Sequence, residues 1–178
     1  MIAVITGSPR KNGNSSAMAD SFIRAAESRG QEVRRFDTAF MDLQGCQACD
    51  CCWDADTPCI YNDDFNEAAE AILDADAIVL VTPVYWYTFP AQIKNMIDRW
   101  YSLCRGTQDF KGKKCMLMAC CEEDTMSTFD GMKFSFEKTI ALLHGDITAE
   151  LLIPDVNKAG DINKTGALER AAALADLL

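Results

Sequence analysis

The sequence alternates short apolar runs with longer segments whose apolar residues recur at helical spacing, and this alternation strongly constrains the fold. The apolar runs suit strands buried on both faces, and we expect them at residues 2–6, 31–37, 77–81, 114–120 and 146–153. The helical segments are expected to begin near residues 15, 64, 90, 128 and 165. Strands that alternate with helices form a parallel sheet with right-handed crossovers. We therefore predict an α/β doubly wound three-layer sandwich with a five-stranded parallel sheet.

Composition narrows the classes of protein that this chain can represent. The 178 residues are expected to form one domain over 1–178, and the net charge of −10 disfavours a nonspecific grip on nucleic acid or anionic lipid. No apolar run is long enough for a membrane helix and no basic leader precedes the first strand, so we expect a cytoplasmic protein with no membrane partner and no nucleic-acid partner. The only histidine, His144, is expected at a helix end, which argues against a serine or cysteine hydrolase.

Two loops at the carboxyl ends of predicted strands have the composition of a ligand site. In doubly wound sheets, ligands bind beyond these ends, so the loops after the first, third and fourth strands are the candidates. Residues 7–16, GSPRKNGNSS, combine hydroxyls, two cations and two glycines just before a helix, as an anion-binding loop does. Residues 82–90, TPVYWYTFP, carry four aromatic side chains that can stack on a planar ligand. The alternatives are a capped turn and an apolar plug under the next helix.

Four short motifs accompany the two loops: DD at 63–64, AQIK at 91–94, IDR at 97–99 and GDI at 160–162. Together with the loops, they resemble the flavodoxin-like NADPH-dependent FMN reductase family, to which the iron-sulfur flavoproteins also belong. The resemblance implies strand order 2-1-3-4-5, bound FMN and NAD(P)H as cosubstrate. It implies that the first loop holds the FMN phosphate and that the others line the isoalloxazine ring, with no catalytic side chain. The implied cofactor-binding residues are Ser8, Arg10, Asn12, Asn14, Ser15, Ser16, Pro83, Val84, Tyr85, Trp86, Cys120 and Glu122.

Residues 44–60 form a cysteine-rich loop. Its pattern is CxxCxxC, then six residues, then a fourth cysteine, on Cys46, Cys49, Cys52 and Cys59. This pattern resembles the compact cluster motif of iron-sulfur flavoproteins and implies a [4Fe–4S] cluster, while zinc and free or disulfide-forming thiols are the alternatives. The loop also contains aspartates, and the chain has no Lys or Arg between Arg35 and Lys94. This local charge argues against an anionic thiolate cluster in the loop.

We therefore expect an FMN-dependent oxidoreductase that passes hydride or electrons from NAD(P)H to a small acceptor: a quinone, a nitro or azo compound, a flavin or a ferric chelate. The alternative is an iron-sulfur flavoprotein or a flavodoxin-type electron carrier, whose negative charge suits docking onto a basic redox protein. A third interpretation is a domain that binds metal or a partner protein through its cysteine loop and binds no flavin. The aromatic loop and the lack of a second domain predict a homodimer or homotetramer in which a neighbour completes the site.

Overall fold

A five-stranded, all-parallel sheet forms the centre of the molecule. The computed structural model describes residues 1–105 and 110–178. Its strands are β1 Ile2–Thr6, β2 Val33–Asp37, β3 Ala77–Pro83, β4 Lys114–Cys120 and β5 Asp146–Ile153. Their order in the sheet is β2-β1-β3-β4-β5, so the predicted strands and the order implied by the family resemblance are confirmed. The prediction stopped β3 two residues short, because β3 stays paired with β4 as far as Pro83 and Cys120.

Helices cover both faces of this sheet. They are α1 Asn14–Ser28, α2 Phe65–Asp74, α3 Ala91–Arg99, α4 Asp130–Leu142 and α5 Ala167–Ala173. Each begins within a few residues of a predicted start, and α3 continues as a 3₁₀ turn through residues 100–105. Within the described ranges, no helix has the length and apolar content needed to cross a lipid bilayer.

The sheet has one hydrophobic core on each face, as the period-two alternation of a strand requires. In β1, Ala3 and Ile5 pack into the core formed with α2, α3 and α4. Ile2 and Val4 of the same strand pack into the core formed with α1 and α5. Because both faces are covered, the central strands are apolar throughout, which is why their sequences run without polar alternation. The predicted three-layer sandwich is confirmed.

A glycine at the end of β1 allows the loops of the central strands to lie close together. A Cβ atom on Gly7 would lie 2.4 Å from Thr82 Oγ1 and 2.9 Å from Ile93 Cγ2, so only glycine fits between β3 and α3 here. The backbone N–H of Gly7 donates to Val81 O at 3.0 Å. All the strands are parallel, so the loops after them meet at one edge of the sheet.

Candidate functional site

A cavity of about 140 Å³ opens at the carboxyl edge of the sheet, and we call it the edge cavity. The expected cofactor-binding residues that line it are Ser8, Arg10, Asn14, Ser15, Pro83, Val84, Tyr85, Cys120 and Glu122. Asn12, Ser16 and Trp86 are not among its lining residues. Residues of three loops that are far apart in sequence therefore meet around one space, as the position of these loops at the strand ends predicts.

The loop after β1 folds around the backbone of Arg10. The backbone N–H of Arg10 donates to Ser8 Oγ at 3.1 Å, and Ser16 Oγ donates to the carbonyl of Arg10 at 3.1 Å. The N–H of Gly13 donates to the same carbonyl at 3.0 Å. The hydroxyl of Ser16 is thus used inside the loop, which explains why this residue does not line the edge cavity.

The start of α1 is the electropositive part of the edge cavity. The first N–H groups of a helix have no intrahelical acceptor, and the N-cap residue Gly13 has no side chain with which to bind them. Ser15 is buried and lines the edge cavity one residue after the helix begins. Arg10 lines it as well, whereas Lys11 turns aside and places Nζ 5.0 Å from the centre of the Phe40 ring. Helix dipole, backbone donors and one guanidinium together favour an anion at this position.

Asn14 connects α1 to the loop after β5. Its Nδ2 donates to Lys158 O at 3.1 Å, and its Oδ1 accepts N–H bonds from Gly160 at 3.0 Å and Ile162 at 3.4 Å. This loop contributes further lining residues that the sequence analysis missed: Val156, Asn157 and Ala159. The signal was present in the sequence, because β5 is parallel to the other strands and its loop must reach the same edge.

The aromatic loop forms a tight turn that exposes the side chains of Trp86 and Tyr87 to solvent. Tyr85 and Thr88 exchange backbone hydrogen bonds of 3.0 and 3.1 Å, and Trp86 and Tyr87 between them adopt left-handed φ values of 49° and 64°. Such values are uncommon for residues other than glycine. Trp86 is 92% exposed, whereas Phe89 is buried. Different residues of the loop therefore do different things: Phe89 packs into the hydrophobic core, and residues 83–85 line the edge cavity.

The end of β4 and the first residue after it bring two protonated thiols to the edge cavity. Burial, with a smaller contribution from Cys121, raises the pKa of Cys120 to about 12. Burial followed by the charge of Glu123 raises the pKa of Cys121 to about 11. The two side chains pack into opposite cores, and the Cys121 thiol donates to the carbonyl of Glu123 at 3.3 Å. Both groups are neutral at physiological pH, so neither is a thiolate nucleophile.

Native-state alkylation tests these thiol environments. At neutral pH we expect iodoacetamide to modify the exposed Cys46 and Cys49, and to leave Cys120 and Cys115 unmodified until the protein is unfolded. Burial raises the pKa of Cys115 to about 12 as well, so it is the matched control in the core. The modified positions are read by peptide mass spectrometry. Rapid labelling of Cys120 but not Cys115 in the folded protein would contradict the assignment.

The cysteine-rich loop surrounds a second, smaller cavity of about 20 Å³, which we call the thiol pocket. Its lining includes Arg99, Tyr101 and the four cysteines of the motif: Cys46, Cys49, Cys52 and Cys59. Burial, followed by the nearness of the other three thiols, raises the pKa of Cys52. The volume suits a water molecule, and no three His, Cys, Asp or Glu residues in the described part of the chain are placed to hold a metal ion. A metal group would therefore require the loop to open.

Arg99 brings positive charge to the thiol pocket, which the sequence analysis did not anticipate. The sequence has no Lys or Arg between Arg35 and Lys94, which argues against an anionic site in this loop. The fold places Arg99, at the end of α3, in the lining of the pocket. Tertiary packing thus supplies a cation that the loop lacks, and the buried carboxylate of Asp63 pairs with it.

The comparisons with known proteins agree with the fold and the motifs. The solved structures that this chain resembles include an NAD(P)H:quinone oxidoreductase from Methanothermobacter marburgensis, with a TM-score of 0.77 and 19% identity over 98% of this chain and 93% of that one. They also include the Trp repressor binding protein of Bacillus subtilis, with a TM-score of 0.71 and 23% identity over 98% and 97% of the two chains. The flavodoxin-like fold is thereby confirmed.

The family follows from the sequence match. The model of the family described as NADPH-dependent FMN reductase matches residues 1–127, and the chain belongs to this family. An iron-sulfur flavoprotein of Archaeoglobus fulgidus is 37% identical over 95 residues, which are 53% of this chain and 43% of the relative. Another, from Methanosarcina thermophila, is 36% identical over 115 residues, 63% of this chain and 58% of the relative. The chain thus spans about half the length of these curated relatives.

Proposed function

We propose that the protein is an FMN-dependent oxidoreductase that takes hydride from NAD(P)H and passes it to a small acceptor, and that residues 1–178 act as one FMN-binding domain. The edge cavity is the observation that carries the proposal. It combines an anion-binding helix start and a guanidinium with a wall of apolar and aromatic residues. Flavin mononucleotide has a matching part for each of these features: its phosphate suits the helix start and the guanidinium, and its planar ring suits the apolar and aromatic wall.

The residues after β1 would hold the phosphate. The proposed donors are the N–H groups of the first turn of α1, the Ser15 hydroxyl and the Arg10 guanidinium. The Ser8 hydroxyl, which donates to Arg10 O at 3.3 Å in this structure, would turn to the phosphate. A net charge of −10 repels anions from the molecule as a whole, so this local set of donors has to supply the attraction. Gly13 keeps the loop compact, because a Cβ atom there would lie 3.1 Å from both Arg10 O and Ser8 Oγ.

The loops after β3 and β4 would enclose the ring. Pro83, Val84 and Tyr85 provide an apolar and aromatic wall, while the neutral thiol of Cys120 adds no charge to it. Bound FMN supplies the hydride-accepting ring nitrogen, so the protein needs to bind, orient and partly shield the cofactor. We assign no side chain of this chain as a general acid or base.

An anaerobic absorption titration tests the proposal. Purified protein loaded with FMN is expected to retain one flavin per chain and to lose the flavin bands when NADPH is added. Protein that does not retain added FMN would contradict the cofactor assignment. Retained flavin that NADPH bleaches only when a separate reductase is present would instead indicate an electron carrier.

Removing the guanidinium near the phosphate should weaken FMN binding. Arg10→Ala is expected to cost about 1–3 kcal/mol of binding free energy, roughly 5- to 150-fold in Kd, because a charge-assisted hydrogen bond is lost. Lys11→Ala is the matched control, since it also removes one positive charge and lies next to Arg10 in the sequence. The side chain of Lys11 lies on the Phe40 ring. Fluorescence titration of apoprotein with FMN gives both constants. Equal affinities for the two variants would contradict the role of Arg10.

We further propose that the acceptor is a small molecule that occupies the edge cavity beside the flavin. Quinones are the first class to test, because one structure with the same fold is named an NAD(P)H:quinone oxidoreductase. Nitro and azo compounds, free flavin and ferric chelates complete the series. Steady-state kcat/KM values across these acceptors rank them, and similar low values for all of them would favour a redox protein as the acceptor.

A second candidate function is that of an iron-sulfur flavoprotein, with a [4Fe–4S] cluster held by the four cysteines of the motif. Two observations favour it: the four thiols line one pocket, and the relatives from Archaeoglobus fulgidus and Methanosarcina thermophila carry that name. Iron and acid-labile sulfide, measured after anaerobic purification, are expected at about four of each per chain. Iron at only a small fraction per chain, both in that sample and after anaerobic reconstitution, would contradict it.

We also propose a homodimer or homotetramer in which the aromatic turn contacts a neighbouring subunit. Trp86 is 92% exposed, and the turn is fixed by α4, since a Cβ atom on Gly131 would lie 2.6 Å from Tyr87 O. An exposed aromatic side chain on a fixed turn suits an interface. Trp86→Asp is expected to shift the protein towards monomer in light scattering. Phe40→Asp, at an exposed aromatic residue outside the turn, is not. A fully active wild-type monomer would contradict the proposal.

A further inference from the structure

Among the residues that the structure describes, two charged side chains line the edge cavity, and their charges are opposite. Arg10 is the cation and Glu122 is the anion. Within the described ranges, neither forms an ion pair with another residue, and the two do not pair with each other. The edge cavity is therefore polarised, with a positive side at the loop after β1 and a negative side beyond the end of β4.

The backbone is held on both sides of Glu122. Cys121, the residue before it, accepts the N–H of Val156 at 2.9 Å through its carbonyl. Glu123, the residue after it, accepts the N–H of Asp155 at 2.8 Å in the same way. Hydrogen bonds to the loop after β5 therefore fix the point from which the Glu122 side chain extends. That side chain is exposed, so water stabilises its charge in place of a counter-ion.

The segment that carries Glu122 runs beside the proposed flavin wall. The backbone N–H of Val84 donates to the carbonyl of Cys120 at 2.9 Å, so the ends of β3 and β4 stay in contact there. Residues 83–85 form the wall, and Glu122 follows Cys120 by two residues. Arg10 lies instead on the loop where the phosphate is proposed to bind. Bound FMN would thus cover the cation and leave the carboxylate beside the ring.

We propose that Glu122 determines the charge of the small molecules that the edge cavity accepts beside the flavin, so that neutral and cationic acceptors are favoured over anionic ones. This inference rests on the proposed function and narrows its acceptor class. A phosphate monoester carries about two negative charges at neutral pH, which more than offset the single charge of Arg10. The occupied cavity is therefore negative, and such a local charge selects ligands by sign and by rate of encounter.

Screening by water and salt sets the size of the effect. Because Glu122 is exposed, we expect a discrimination of about fivefold per unit of acceptor charge at low ionic strength. The effect should shrink in concentrated salt, since the Debye length falls from about 10 Å at 0.1 M to about 3 Å at 1 M. A purely structural role of Glu122 would depend neither on salt nor on the sign of the acceptor charge.

Reoxidation of the reduced flavin by three naphthoquinones tests the selectivity directly. One quinone is uncharged, one carries a sulfonate and one carries a trimethylammonium group. In this step the flavin gives a hydride to the quinone and a proton from water completes the hydroquinone, so the charged substituents stay unchanged. Stopped-flow absorption measures each rate after anaerobic reduction of the bound FMN with dithionite. The intrinsic reactivity of each quinone cancels, because its rates are compared between protein variants.

Glu122→Gln removes the charge and keeps the size of the side chain, whereas Glu122→Lys reverses the charge. Glu70→Gln is the matched control, since it removes an exposed carboxylate of α2 that does not line the edge cavity. Relative to the uncharged quinone, Glu122→Gln should react about fivefold faster with the sulfonated quinone and about fivefold slower with the cationic one at low salt. Glu122→Lys should give larger changes in the same directions. Glu70→Gln should match the wild type.

The result that would overturn the proposal is equally definite. Rates that change by one common factor for all three quinones, or that do not change in either Glu122 variant, would show that this carboxylate does not select acceptors. An effect that persists undiminished in 1 M salt would also count against it, because the charge of an exposed side chain is then screened.

A measurement on apoprotein separates this inference from the proposed function. A cationic and an anionic nitroxide of similar size are added in turn, and NMR measures how strongly each relaxes the amide protons of Val84 and Tyr85. The ratio of the two effects reports the local charge without flavin or turnover. Glu122→Gln is expected to lower the cationic-to-anionic ratio about threefold, and Glu70→Gln is expected to leave it unchanged.

The two possible failures then look different. An unchanged ratio in Glu122→Gln would overturn the inference even in a protein that binds FMN and is reduced by NADPH. Protein that retains no FMN but shows the expected change in the ratio would contradict the proposed function, while the selectivity of the edge cavity for neutral and cationic molecules would stand.

Discussion

Replacing Arg99 with methionine is expected to lower the free energy of unfolding by about 3–5 kcal/mol, because it leaves the Asp63 carboxylate buried without its cation. Both side chains are almost fully enclosed, so water cannot take the place of the guanidinium. Urea denaturation at neutral pH measures the change. Arg34→Met is the control, since its ion pair with Glu67 is exposed and is expected to contribute at most about 1 kcal/mol. Similar losses for the two variants would contradict the structural role of the buried pair.

The same ion pair gives the stability a definite pH dependence. Burial alone would raise the pKa of Asp63, but hydrogen bonding to Arg99 and its charge outweigh burial and hold that pKa below its usual range. A carboxyl group whose pKa is lower in the folded state stabilises the fold above its unfolded pKa, and that contribution is lost as the pH falls through the folded pKa. Without Arg99, burial acts on Asp63 unopposed and raises its pKa, so the gap between wild type and Arg99→Met should begin to narrow above about pH 4 and should narrow further as the pH falls through the lowered pKa of the wild-type carboxyl group. A gap that stays constant in acid would show that Asp63 does not titrate with the pair.

Asn14→Ala is expected to lower the free energy of unfolding by about 2–3 kcal/mol and to weaken FMN binding by about tenfold or more. The side chain makes three hydrogen bonds to the loop after β5, each worth roughly 0.5–1.5 kcal/mol. Without them, the loop that carries Val156 and Asn157 to the edge cavity loses its attachment to α1. Urea denaturation and FMN titration of the same preparation measure the two effects.

Asn14→Asp separates the anchoring of the loop from the charge near the phosphate. A carboxylate can still accept the N–H bonds of Gly160 and Ile162, but it cannot donate to Lys158 and it adds a negative charge at the start of α1. We expect it to lose less stability than Asn14→Ala and to bind FMN at least as weakly. Unchanged FMN affinity in both variants would show that neither the loop nor this helix start contributes to flavin binding.

The elements of the fold were predictable because their signals are local. Continuous apolar runs such as residues 2–6 and 114–120 indicate strands with two buried faces, and the stripes between them indicate amphipathic helices. Strand order and the position of the site then follow from the rules of doubly wound sheets and from the resemblance of the loops at 7–16 and 82–90 to a known family. Most of the expected residues therefore line one cavity.

The parts that were not predictable depend on contacts between distant segments. Residue types in the first loop do not show that the Ser16 hydroxyl turns back to Arg10, or that the Asn14 amide crosses to a loop more than 140 residues away. The place of Arg99 in the lining of the thiol pocket is of the same kind, since it depends on how α3 packs against the cysteine-rich loop. Local charge counting fails wherever a helix brings a side chain in from another part of the chain.

The length of helix α3 sets the distance between the two candidate sites. It begins just after the aromatic turn and ends at Arg99, and its nine residues span about 14 Å at 1.5 Å per residue. Inserting one residue within it would rotate Arg99 by about 100° around the helix axis and turn the guanidinium away from Asp63 and the thiol pocket. Length changes should therefore be accepted in the surface segment at 54–57 but rejected inside α3, so the spacing between the edge cavity and the thiol pocket is a property of one uninterrupted helix.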